Sequence, residues 1–169
     1  MRSVALLVLL IPMVAAGCGG GSTETATKVE TRHTEQPLSK AGYIALADTI
    51  CRNHQSRRED LESQANDLGR LNSEREAHQV ADLLRQQSEN LMAEAQELQA
   101  LQAPSADIRT RGSMSSFVRT QASVIDNWAK AYDDLDAGEI RRLQIRLGVT
   151  ISKSEKRAQA YGFKVCGQE

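Results

Sequence analysis

Few side chains in this sequence are equipped for chemistry: three histidines (His33, His54, His78) and three cysteines (Cys18, Cys51, Cys166). Glu74 and His78 stand four apart, on one face if the segment is helical. Carboxylate bundles that hold paired metals need a Glu-x-x-His on each of two helices and a Glu on two more. His33 lies in a threonine-rich stretch, so the histidines cannot complete that set, and Glu74 with His78 reads as a surface hydrogen bond. No metal and no cofactor is expected. Neither a GxSxG elbow, a phosphate-binding loop, a dinucleotide glycine pattern nor an HExxH helix occurs. No catalytic residue is assigned, and an enzyme is the least favoured class.

Those residues must be positioned by helices. Charged residues make up 25% of the chain and aromatics only 4%, and Ala, Leu, Gln, Glu and Arg dominate, which favours helix over sheet. Ser39 is placed to cap a first helix, along which Ile44, Ala47, Cys51, His54, Arg58, Leu61, Ala65 and Leu68 recur in steps of three and four. Gly69 offers its C-terminal cap. A second helix, capped by Asn72 or Ser73, runs to about Ala103 on Ala77, Val80, Leu84, Gln87, Leu91, Leu98 and Leu101, with Ala95 beside the seam. Pro104 stops it and Ser105 caps the next. The third, about 106–135, carries Ile108, Ser115, Val118, Ala122, Ile125, Ala129, Tyr132 and Leu135. The fourth starts near Gly138, uses Ile140, Leu143, Leu147, Ile151, Ala158 and Tyr161, and ends at Gly162 in a left-handed cap.

Loops of a few residues make such helices antiparallel neighbours, so the fold expected is all-α: an antiparallel four-helix bundle, up-down-up-down. A helical hairpin that dimerises into a longer coiled coil is the rival. Counting levels through the loops sets His54 opposite Gln87, with Arg58 one turn along. Polar groups on a seam need partners, so His54, Arg58 and Gln87 are expected to form a polar core layer that specifies register. The sharper alternative is a pocket ringed by His54, Arg58, Gln87 and Trp128. Trp128 itself, next to Ala129, reads as core.

Ahead of the helices lies a different kind of sequence. Residues 1–17 have a positive charge at Arg2, an apolar run from Val4 to Val14, and then Ala15, Ala16 and Gly17, the layout of an export signal too short to remain as a membrane span. The "AAGC" at 15–18 resembles the lipobox of bacterial lipoproteins, with Ala15 in place of the usual Leu. That resemblance implies diacylation of the Cys18 sulfur, cleavage just before it, and a chain held to the outer face of the cell membrane. A plain secretory signal is the alternative. Residues 18–37 include three successive glycines and five threonines and cannot bury enough apolar surface to offset ordering, so they read as a flexible tether reaching about 25 Å. Residues 38–169 are the bundle domain with its C-terminal tail.

With Cys18 assigned to lipid, Cys51 and Cys166 form an even pair in an exported chain, the setting for a disulfide. The level count places Cys51 near Lys156, and the residues after Gly162 are long enough to fold back to it. Two reduced thiols are the alternative; a redox pair is disfavoured without a CxxC. "SKAGYIALADTICRNH" at 39–54 and "AQAYGFKVCG" at 158–167 further resemble a group of actinobacterial helical lipoproteins. That resemblance implies the anchor, the helices and the Cys51–Cys166 pair, but no activity.

The net charge of −1, or −2 once Arg2 is removed, gives no electrostatic reason to expect nucleic acid, and Arg109, Arg111, Arg141, Arg142 and Arg146 read as solvated faces near acids. The function expected is therefore a non-catalytic interaction or structural module at the cell envelope. Its partners would be the membrane, through Cys18, and other envelope proteins. A small-ligand-binding or sensory bundle is the alternative: it requires a void between the helices, whereas an interaction module requires a solid core.

Overall fold

The structure, a computed structural model, describes residues 38–68 and 73–167, all within one unit, Glu35–Glu169. The expected export signal, Cys18, the linker 18–37, His33 and the Gly69 cap lie outside the described residues. Among the described residues there are four long helices and no strand: α1 (Lys40–Asp67), α2 (Glu74–Ala100), α3 (Ile108–Asp133) and α4 (Ala137–Tyr161). A 3-10 turn, Ser105–Asp107, leads into α3.

Local chemistry accounts for the boundaries. The Ser39 hydroxyl accepts from the Gly42 amide at 3.1 Å and Ser73 from the Glu76 amide at 3.3 Å, each satisfying a donor that a helix start leaves without an intrahelical partner. The α4 start uses Asp136, whose carboxylate accepts from Glu139 N at 2.9 Å. Gly162 takes φ of 111° and ends α4 as the left-handed cap. Two expectations fail at the α2–α3 junction. The second helix ends at Ala100, before Pro104, because Leu101 is already extended, and Ser105 opens the 3-10 turn without capping α3.

The helices pack in sequence, α1 on α2, α2 on α3 and α3 on α4, with α2·α3 the most extensive pairing. The up-and-down bundle is thus as expected, but α1 and α4 meet only marginally along their backbones. A continuous core joins Tyr43, Ala47 and Cys51 of α1 to α2, α3, Ala158 and the tail residues Phe163 and Cys166. A smaller cluster, Val124, Ala131 and Leu143, fastens the start of α4 to α3. All of this, with the disulfide, lies inside one unit, which therefore carries what it needs to fold without residues 1–34.

Two residues expected on the third seam are in fact exposed. Ile108 is 51% exposed and Leu135 53%, because the first stands at the tip of α3, past the reach of its neighbours, and the second sits at φ 54° in the turn after it.

Candidate functional site

The α1–α4 side of the bundle has two parts with opposite character. Near the end where the chain enters at Leu38, the tail after α4 crosses to α1 and closes the gap. Cys51 and Cys166 are disulfide-bonded, with Cα atoms 5.2 Å apart, as the even pair implied. Beside them the Asp48 carboxylate accepts three backbone N–H bonds, from Lys164 at 2.9 Å and from Val165 and Cys166 at 3.0 Å each. A carboxylate in such a nest of amides is held by charge-assisted bonds. Tyr43, fully buried, meets Tyr161 and Phe163 edge-on at centroid distances of 6.1 and 6.0 Å. Burial raises the Tyr43 phenol pKa, and burial with the Asp107 carboxylate raises that of Tyr161.

Further along, α1 and α4 stand apart and all four helices border one cavity of about 330 Å³. Its wall is mostly apolar, with Leu61, Leu84, Leu91, Ile125, Trp128 and Leu147 prominent, and its polar lining includes Arg58, Gln87 and Gln121. Leu61, Leu91 and Ile125 on this wall are buried. From Arg58 to Asn66 along α1 the cavity extends about 12 Å at helical rise. The arrangement can enclose an elongated apolar molecule.

The expected polar layer is only partly assembled. His54 and Arg58 do face polar partners on α2, but these are not Gln87. The His54 Nδ1 lies 2.8 Å from the Asn90 Oδ1 and its Nε2 3.1 Å from the Glu97 Oε1, while the Asn90 amide donates to the His54 carbonyl at 3.1 Å. Arg58 donates to Glu94, and this ion pair is buried, Glu94 being 1% exposed. Gln87 lines the cavity instead. The registers differ by about one turn because six residues separate α1 from α2, more than a minimal turn. Likewise the cavity takes in Arg58, Gln87 and Trp128 of the pocket considered from sequence, but His54 is not part of its wall. Trp128 is a half-buried wall residue.

Sequence reasoning missed Asp48, Tyr43 and Glu94 as buried groups. It also missed the main partner of His78. Glu74 lies 3.6 Å from the His78 Nε2, but Asp133 of α3 bonds its Nδ1 at 2.9 Å. Asp133 also pairs with Arg85. The bond to Asp133, with Glu74 adding, raises the His78 pKa, and the same bond lowers that of Asp133.

Among the described residues no group of three or more His, Cys, Asp and Glu could hold a metal ion, and no helix is long and apolar enough to cross a membrane. Comparison with known proteins found no matching family model, no similar curated protein and no similar solved structure.

Proposed function

We propose that this chain is a membrane-tethered envelope lipoprotein whose helical domain binds an elongated, uncharged, mainly apolar small molecule in the cavity between α1 and α4. One observation carries the reading: beyond the stretch that the tail closes, α1 and α4 stand apart around a mainly apolar void bordered by all four helices. Its 330 Å³ is roughly twice the ~150 Å³ that holds benzene in an engineered cavity, and falls in the usual range for ligand pockets. Arg58 is the cation on the wall and its charge is matched by Glu94, while the one carboxylate of the lining, Glu62, belongs to an exposed residue where solvent screens it. The binding surface therefore favours a neutral ligand, oriented by amide groups such as Gln87 and Gln121.

Trp128, the only tryptophan in the chain, stands in the wall and makes the test direct. Residues 35–169 titrated with 1-bromodecane, a heavy-atom quencher, are expected to show saturable quenching of Trp128 that decanol reverses. Ala65→Phe, which fills the cavity, should abolish the saturable part. Quenching that rises linearly without saturation and is identical in the filled variant would remove the ligand reading.

The tether belongs to the same proposal. Cys18→Ala is expected to release the protein from the membrane fraction. Retention there, unaffected by inhibiting lipoprotein signal peptidase, would count against lipidation.

A second reading, an interaction module for another envelope protein, is favoured by the outer face of α4. Ile145 and Val149, one turn apart, are 65% and 49% exposed. Photo-crosslinking in cells from those two positions should capture a discrete protein partner if that reading holds, and none if it does not.

A further inference from the structure

We infer that the end of the bundle at which the chain enters is a docking surface for an anionic lipid bilayer. Lys40 at the start of α1, Arg109 at the start of α3, Arg157 near the end of α4 and Lys164 in the tail are all exposed there. Arg109 and Arg157 border a shallow hollow of about 360 Å³ that Thr110 and Ser113 also line. Arg157 donates to the Ser113 hydroxyl at 3.3 Å and lies over the Phe117 ring, which fixes one cation at the rim.

The acids nearby do little to cancel these charges. Asp48 is turned inward onto backbone amides, Glu94 onto Arg58 and Glu97 towards His54, leaving Asp107 and Glu155 as the other neighbours of opposite sign. The other end of the bundle is the reverse. Asp67, Glu74, Glu76, Asp133, Asp134, Asp136 and Glu139 there outnumber Arg75, Lys130, Arg141 and Arg142, although Glu139 pairs with Arg142 and Asp133 with His78 and Arg85. Antiparallel helix dipoles cancel in pairs, so these side chains make the domain bipolar along its axis. A negative surface attracts one end and repels the other.

Charge alone would suit any polyanion; one apolar side chain points to a bilayer. Ile108, first residue of α3, is 51% exposed beside Arg109 at this same end, and basic residues flanking an exposed aliphatic are the composition of an interfacial contact. Leu38, where the preceding chain joins the bundle, lies at that end too. The inference stands on the charges and Ile108, independent of the cavity and of any lipid on Cys18. It would orient the domain with its acidic end outward.

The test uses residues 35–169, which lack both the export signal and Cys18. Cosedimentation is measured with phosphatidylcholine vesicles, with and without one-third phosphatidylglycerol. Binding is expected only to the anionic vesicles and should be lost near 0.5 M salt, where screening shortens to a few Å. Arg109→Gln and Lys164→Gln should each weaken it about fivefold, and Ile108→Ser about tenfold, with unchanged melting temperatures. Equal binding to neutral vesicles would overturn the proposal. So would undiminished binding by Ile108→Ser together with equal affinity for soluble polyphosphate, which would mark a polyanion site.

Discussion

The two halves of the α1–α4 seam solve one problem in different ways. In the half near Leu38, the backbones of α1 and α4 hardly meet, yet the seam is closed. The tail fills the gap, bonded covalently at Cys51 and Cys166, electrostatically at Asp48, and by the edge-on contact of the Tyr43 and Phe163 rings. It is packed so closely that a Cβ at Gly167 would come within 2.7 Å of that of Ala158. In the other half no such strap exists among the described residues, and the same gap remains as a cavity. The helices do not determine whether the bundle is solid; what is laid across the seam does.

The largest blow to this contrast should come from the disulfide. Replacing Cys51 and Cys166 by serine opens a loop with a sequence separation of 115 and is expected to cost about 4 kcal/mol in denaturant unfolding. Next, Asp48→Asn keeps the shape but weakens three charge-assisted bonds. A loss of about 2 kcal/mol is expected, with faster hydrogen exchange confined to the amides of residues 164–166.

A matched pair sharpens the comparison further. Ala47→Leu, in the fully buried half, should destabilise by about 1–3 kcal/mol through overpacking. Ala65→Leu, on the cavity wall, should instead stabilise by about 1 kcal/mol by filling space. Equal signs in thermal melts would mean that the halves do not differ in packing.

The smallest effect concerns the acidic end of the bundle. The His78 pKa is raised by Asp133, so the pair adds stability that is fully present below the ordinary histidine pKa of about 6.5 and is lost as pH rises through the higher folded value. His78→Gln should therefore lower the melting temperature slightly near pH 5 and not at all near pH 9. Because the Asp133 pKa is lowered, its share disappears only in strong acid.

What was legible in the sequence, and what was not, divides along the same seam. Stepwise apolar spacing and capping residues such as Ser39, Ser73 and Gly162 announced four helices in antiparallel order, because those signals are local. The cysteine pair was legible because setting Cys18 aside as the expected lipid site left Cys51 and Cys166 as an even pair. Asp48 and Tyr43 were not, since the tail that covers them is 115–120 positions away and carries no periodic pattern. Glu94 reads as a solvent residue until Arg58 is seen to reach it. Ile108 and Leu135 continue a periodic pattern past the point where neighbouring helices provide anything to pack against. The cavity was legible only as a question, raised by Arg58, Gln87 and Trp128. Its existence depends on how far α1 and α4 stand apart, which no spacing within either helix encodes.

The bond between Cys51 and Cys166 also decides how the domain would carry tension. A pull applied between Leu38 and Gly167 runs along the first turns of α1, crosses the sulfur bridge, and leaves by the end of the tail. The intervening chain, including all of α2, α3 and α4 and the whole cavity wall, is bypassed by this covalent shortcut. A domain tugged from its ends could therefore yield only at the start of α1, and the cavity would keep its shape under load.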